Sequence, residues 1–335
     1  MKDVYCTSIT FQKYKNLYYL CTMKTSKFYI LIPLLVLVFA FSLREVVPKT
    51  SAKLGEKLFF DPVLSEDMRI SCASCHIPSF AFSDTTQFSK GVHNKRGTRN
   101  APSLTDLEFR EHFFLDGRVN TLEEQITHPI TNPFEMNLAI SELLIRLKKS
   151  KDYVKSFQKV FKSDITEALL VKALSDYIRT LESSESAFDG FMKKGKNPLF
   201  SASAERGRAL FIGKAKCFDC HFGPDFTGDE FRNIGLYNNI EYKDLGRYNV
   251  TKKNEDKGKF RVAPLRNIAV TAPYMHDGSF KTLQDVLKYY NNPDKFVANS
   301  IGRDALLNSP LNLNASEIDD LESFLISLTD KKYYK

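Results

Sequence analysis

The chain has 335 residues, 43% of them hydrophobic and 26% charged, with a net charge of +8 at neutral pH. That length suffices for two domains of about 120 to 150 residues, and the composition excludes a disordered or low-complexity chain. Half of the excess charge lies in residues 1–43, so the remainder is mildly basic; with no aromatic-and-basic stripe, nucleic acid is excluded as a partner.

In chain order, residues 1–50 form an N-terminal signal or anchor region. Phe28 to Leu43 (FYILIPLLVLVFAFSL) is a charge-free apolar run directly after Lys24 and Lys27, the pattern of a secretory signal. The run is short for a spanning helix, and Ala40-Phe41-Ser42 is a poor cleavage site. A cleaved signal and an uncleaved membrane anchor therefore both stay open. Met23 begins a more conventional signal than Met1 does.

Ser51 to Phe60 sets Leu54, Leu58 and Phe59 on one helical face and stops at Asp61-Pro62. It leads into Cys72-Ala73-Ser74-Cys75-His76, a unit that recurs as Cys217-Phe218-Asp219-Cys220-His221. C-x-x-C-H is the attachment signature of a c-type haem: two thiols add covalently to the porphyrin edge, and the histidine binds the iron. The competing readings are a zinc site and a redox dithiol. A four-cysteine zinc site gives no reason for histidine to follow both pairs in a chain with six histidines. Each unit therefore predicts one covalent haem, attached after export. Cys6 and Cys21 are the other cysteines.

Ser141 to Phe161 is one amphipathic stretch, with Lys148, Lys149 and Lys151 on a solvated face. Asp164 to Leu181 reads as a helix between the domains, capped by Asp164 with Glu167 at its third position. Gly195 to Ser203 is the linker, Ala204 to Ile212 a helix before the second motif, and Tyr237 to Lys259 a polar surface loop. Asn314 to Leu328 aligns Ile318, Leu321, Phe324, Leu325 and Leu328, with Ser316 and Asp319 spaced as a capping box. This last helix is expected to cross the 204–212 helix. No strand pair is evident. The reading is an all-α fold of two cytochrome c-like domains, residues 51–195 and 203–330, each with one covalently bound haem and with long loops between helices.

The ordered motifs CASCH, Gly91-Val92-His93, Arg99-Asn100-Ala101-Pro102, Asp116-Gly117-Arg118, Gln125, Glu135-Met136, CFDCH and Thr271 to Gly278 (TAPYMHDG) resemble the bacterial di-haem cytochrome c peroxidases and their MauG-like relatives. The resemblance spans about residues 51 to 330. It implies that His76 is the proximal ligand of a peroxidatic haem, with Glu135 and Gln125 on the open face, and that the second haem exchanges electrons with a donor. A carboxylate there suits the chemistry, since heterolysis of peroxide moves a proton from one oxygen to the other. His93 sits one position from the removable distal histidine of the peroxidases, which leaves ligation by His93 and a permanently open iron as alternatives.

The resemblance also marks departures. Where the peroxidases ligate the second iron with methionine, fourteen residues beyond His276, this chain has Tyr290, the MauG-like arrangement; Tyr289 and Met275 are the rivals. Phenolate favours ferric and higher states, so the potential of that haem should be low. Tryptophan before Asp-Gly-Arg is replaced by Leu115, and the chain has no tryptophan, which weakens the expected path between haems. Asn100, Thr271 and Pro273 occupy the family's calcium positions, a hard oxygen donor set.

Together these imply a periplasmic enzyme, a cytochrome-c peroxidase that reduces hydrogen peroxide with electrons from a small c-type cytochrome, a copper protein or quinol. The alternatives are a MauG-like enzyme that spends the oxidising equivalents on a protein or small molecule, and a non-catalytic electron carrier or redox sensor. A homodimer is implied by the resemblance alone.

Overall fold

The computed structural model describes residues 5–9, 18–22 and 47–334. Residues 1–46 and 47–335 are separate units. In the first, β1 (Tyr5–Ile9) and β2 (Tyr18–Thr22) pair antiparallel, with Tyr5 opposite Thr22. The apolar 28–43 run and the start at Met23 lie outside the described residues. Among the described residues no helix is long and apolar enough to cross a membrane.

The second unit begins with α1 (Ser51–Phe60), whose N-terminus is closed by Thr50 accepting from the Lys53 amide at 3.2 Å. Then come α2 (Leu122–Thr131), α3 (Ile140–Lys149) and α4 (Lys151–Phe161). The stretch expected as one amphipathic segment is thus two helices. Extended Ser150 ends α3 and caps α4 through the Tyr153 amide at 3.4 Å. Helix α5 (Glu167–Ile178) is capped by Thr166, not by Asp164, which accepts instead from the Gln158 side chain at 3.0 Å.

Nor is α5 a spacer between two domains: it lies across α1. A Cβ on Gly55 would stand 1.8 Å from the carbonyl oxygen of Ala173, so only glycine lets the two backbones touch. Phe59 meets Tyr177 edge-on beside this contact at 5.2 Å. Leu54, Leu58 and Phe59 are buried as their spacing predicts, each side chain worth roughly 1.5–3 kcal/mol of apolar burial.

The same construction returns downstream. Helices α6 (Ala187–Lys194) and α7 (Ala202–Ile212) are followed by the two-residue strand β3 (Phe231–Arg232), the single turn α8 (Tyr248–Thr251) and β4 (Phe260–Arg261), which pairs with β3. Helices α9 (Leu283–Asn291) and α10 (Ala315–Ser327) complete the unit. Helix α10 crosses α7 as predicted: Gly207 faces the carbonyl oxygen of Asp320, 1.9 Å from where a Cβ would be, and Phe211 meets Phe324 at 5.1 Å. The pattern Gly-x-x-Leu-Phe occurs in both leading helices, as Gly55 to Phe59 and Gly207 to Phe211.

The core accordingly falls into two apolar clusters, one running from Leu54 to Leu181 and one from Phe200 to Leu328. The α10 stripe is buried as expected, but its capping box is Asn314 with Glu317 rather than Ser316 with Asp319. Residues 237–259 are not simply a surface loop, since they include α8 and buried Tyr237 and Asn238. The two short strand pairs likewise correct the expectation of none.

Gly55→Ala and Gly207→Ala are each expected to destabilise the haem-loaded protein by about 1–3 kcal/mol, the usual cost of overpacking a close contact. Urea unfolding followed by far-UV circular dichroism measures this. An unchanged midpoint for both variants would contradict the backbone contacts.

Candidate functional site

Both Cys-x-x-Cys-His units fold into one 3₁₀ turn, Cys72–Ser74 and Cys217–Asp219, closed by the histidine amide bonding back to the first cysteine carbonyl at 2.9 Å in each case. The chain then doubles back. Phe82 and Phe226, at φ 56° in both cases, offer their carbonyl oxygens to His76 Nδ1 at 2.9 Å and His221 Nδ1 at 3.0 Å. A carbonyl only accepts, so Nδ1 carries the proton and Nε2 keeps its lone pair, the tautomer an iron ligand needs. Burial lowers the pKa of both imidazoles and holds them neutral.

Burial also pushes the Cys72 thiol up to about 12, Cys75 to about 11 and Cys217 to about 12. Thiols so held stay protonated at neutral pH, unlike the activated thiolate of a redox dithiol. Among the described residues no three His, Cys, Asp or Glu side chains converge as a metal cluster would.

Glu135 reaches the first motif from the end of α2. Thr121 caps that helix through the Glu124 amide at 3.2 Å, and Asn132 terminates it, accepting from the Glu135 amide through its carbonyl at 3.0 Å. The Asn132 side chain then donates to Glu135 Oε1 at 2.7 Å. Burial raises the Glu135 pKa against the opposing pull of Asn132 and Arg118, and its charge acts on both Cys72 and Cys75. Gln125 lies seven residues before Asn132, on the same α2 face, and is half-buried. Asn132 was missed in the sequence; its signal was a side-chain amide three residues before a candidate proton carrier.

The structure places His93, the possible distal ligand, at the edge of its loop. His93 and Asn94 form a left-handed turn (φ 56° and 58°) while the Val92 amide bonds the Glu135 carbonyl at 2.8 Å. That pins the loop with the imidazole outward, 55% exposed, and Nε2 3.0 Å from Glu66 Oε2.

At the second motif, α9 carries both rival tyrosines. Tyr289 is a core residue whose hydroxyl donates to the Ile234 carbonyl at 2.7 Å. Tyr290 meets the Tyr289 ring edge-on at 5.6 Å and lies near enough to Cys217 and Cys220 to feel their charge, and burial raises its pKa. Met275, at φ 75°, packs against the second apolar cluster.

Between the motifs, Arg99 bridges Asp116 (2.6 Å) and Asp244 (2.7 Å). Arg247 donates to the Asp116 carbonyl at 2.9 Å, and the Arg261 amide to the Leu115 carbonyl at 2.8 Å. The Asp116-Gly117-Arg118 turn is thereby stitched to the downstream half. The Arg118 guanidinium lies 3.4 Å above the Phe114 ring, whose edge meets His128 at 5.2 Å. Asn100 joins the 271–278 segment through its amide to the His276 carbonyl at 2.8 Å, while its side chain donates to the Thr86 and Gln87 carbonyls at 3.1 and 3.2 Å.

Residues 49–197 match the sequence profile of the di-haem cytochrome c peroxidase family. The chain is 33% identical over 308 residues to the cytochrome-c peroxidase IdrP2 of Pseudomonas sp. (strain SCT), covering 83% of this chain and 80% of that one. It is 34% identical over 282 residues to the methylamine utilization protein MauG of Methylophilus methylotrophus, covering 83% and 82%. The crystal structure of a MauG-like protein associated with microbial copper homeostasis superposes with a TM-score of 0.76 at 31% identity, over 84% of this chain and 89% of the other. Sequence likeness along most of both lengths, with the paired Cys-x-x-Cys-His turns each seated at a helix crossing, leads to one assignment: the chain belongs to the di-haem cytochrome c peroxidase and MauG family.

Proposed function

We propose that the chain is an exported, periplasmic peroxidase that reduces hydrogen peroxide to water on the His76 side and takes in electrons on the His221 and Tyr290 side. The observation that carries this reading is Glu135, a half-buried carboxyl with a raised pKa, held by Asn132 beside the Cys72 and Cys75 pair. When bound, haem supplies the electrons and redox chemistry that cleave the peroxide bond. The chain supplies the proton transfer. Glu135 takes the proton from one peroxide oxygen and returns it to the departing one, and its raised pKa brings both protonation states closer to neutral pH. Gln125 orients the peroxide through its amide. His76 and His221 present Nε2 as ligands, and Cys72, Cys75, Cys217 and Cys220 anchor the two porphyrins.

The two apolar clusters support a division into haem domains at 51–195 and 203–330. Calcium is proposed at Asn100 with Thr271 and Pro273; the Asn100 to His276 hydrogen bond joins these segments, and an oxygen-only donor set suits a hard cation. The electron donor is proposed to be a small c-type cytochrome, a copper protein or quinol.

Absorption and EPR spectra of the oxidised protein, before and after one equivalent of peroxide, test this. A high-spin haem beside a low-spin haem, converted rapidly by peroxide, is expected. Two low-spin haems inert to peroxide, also after partial reduction, would leave an electron carrier. A second reading, MauG-like oxidation of a protein or small molecule, is favoured by Tyr290 beside the second motif. It predicts slow decay of the peroxide-oxidised protein without donor and faster decay with its substrate.

A further inference from the structure

Six exposed lysines crowd the end of α3 and the length of α4. On α4, Lys151, Lys155 and Lys159 recur every fourth residue and Lys162 follows three later, which stacks them on one side of the helix. Lys148 and Lys149 precede them in the last turn of α3. Like charges four apart repel, so the row is kept at a cost that an opposite charge from outside would relieve. The nearby carboxylates do not supply it. Glu142 faces Arg146 at 3.4 Å, Asp152 is drawn to Lys57 on α1, and Asp164 accepts from Gln158 at 3.0 Å, so among the described residues none of these pairs with the six lysines. Two apolar side chains, Ile145 (56% exposed) and Val154 (37% exposed), sit among them.

The opposite side of α4 is its anchor. Tyr153 and Phe157 are buried in the first apolar cluster, and the Tyr153 hydroxyl donates to Asp61 Oδ2 at 2.6 Å, at the end of α1. The lysines are thereby kept outward. Charge alone would suit either an acidic protein or an anionic membrane, and two observations favour the membrane. Only seven residues, 44–50, separate the charge-free apolar run from α1, a reach of at most about 25–30 Å, and α1 is the helix to which α4 is fastened. The row also belongs to the first apolar cluster, whereas a donor is proposed to deliver electrons on the His221 side, in the second.

We propose that the lysine face of α3 and α4 rests on the anionic phospholipid surface of the membrane across which the chain is exported, so that the peroxidatic half lies against the bilayer. This rests on the exported reading. Lysine stems carry their charge to the headgroup phosphates, while Ile145 and Val154 meet the boundary with the acyl chains. Each lysine adds about fivefold to partitioning onto an anionic leaflet, an attraction that salt screens.

The test adds the haem-loaded full chain to vesicles of phosphatidylcholine, alone or with phosphatidylglycerol, and reads amine acetylation of each lysine by mass spectrometry. The apolar run can hold the chain on either vesicle, so the difference between the two reports the lysine face. Lys151, Lys155, Lys159 and Lys162 are expected to lose labelling several-fold on the anionic vesicles only, and to regain it at about 1 M salt, where charges are screened within about 3 Å. Exposed Lys253 and Lys281 should stay labelled throughout. Lys155→Glu with Lys159→Glu should remove the protection of Lys151 and Lys162, with peroxide turnover in detergent unchanged. The milder pair Lys155→Gln with Lys159→Gln should weaken that protection, and it decides the matter if the first pair does not fold. Equal labelling of the four lysines on both vesicles would overturn the proposal, including where an added acidic cytochrome or copper protein covers them instead. Cell fractionation separates the premises: an exported chain with an unprotected face loses the lipid contact alone, whereas recovery from the cytosol removes the exported reading and the contact with it.

Discussion

Replacing Glu135 with glutamine is expected to lower peroxide turnover by about 10²- to 10⁴-fold, the usual contribution of a placed proton carrier, while both haem spectra stay intact. Glutamine keeps the shape and a carbonyl oxygen for Asn132 but cannot carry the proton. Burial is the first cause of the raised Glu135 pKa, with Asn132 and Arg118 pulling the other way. The sign of the pH effect follows. A carboxyl that must accept a proton works once ionised, so the acid limb of the peroxide rate should lie above the ordinary carboxylate range in the wild type and vanish in Glu135→Gln. Asn132→Ala removes the bond to Oε1 at 2.7 Å, leaving the carboxyl in place but less well aimed. A smaller loss, of roughly 10-fold for a hydrogen bond worth about 1.5 kcal/mol, is expected there. Stopped-flow peroxide kinetics across pH measures both, and full activity in Glu135→Gln would remove Glu135 from the mechanism.

Tyr290→Met is expected to raise the potential of the His221 haem substantially, within the roughly 0.8 V span that axial ligation commands, and to introduce a methionine-ligand absorption band. A half-buried phenol with a raised pKa stays neutral unless a cation faces it; ferric iron would be such a cation in the proposed reading, and a thioether in place of the phenolate would stabilise the ferrous state instead. The variant should therefore accept electrons readily and lose the ability to hold an oxidising equivalent there. Tyr289→Phe is the control, because its hydroxyl is already used on the Ile234 carbonyl at 2.7 Å. Potentials that respond to Tyr289 and not to Tyr290 would reverse the assignment.

The haem chemistry and the outer helices were legible in the residues alone. Cys-x-x-Cys-His is a contiguous unit whose chemistry is local, and the α1 and α10 stripes repeat at helical spacing. The Gly-x-x-Leu-Phe repeat at Gly55 and Gly207 gained its meaning from the fold, where each glycine sits at a helix crossing. The partner of α1 was not: the contact joins Gly55 to Ala173 across more than a hundred residues, and periodicity says which face is buried, never against what. The caps at Thr166 and Asn314 were misplaced because several side chains nearby can serve, and only the backbone angles choose among them.

At the sites the division is the same. The residue types that can ligate iron or move a proton are set by covalent chemistry, so Cys72, His76, Cys217 and His221 could be named from the chain itself, and Glu135 only through the family resemblance. Direction depends on packing. A left-handed turn points His93 at Glu66, one helical step separates Tyr290 from Tyr289, and Arg99 joins Asp116 to Asp244 from parts of the chain distant in sequence. Such convergence arises from long-range contacts whose burial and hydrogen bonds exist only once the chain has folded.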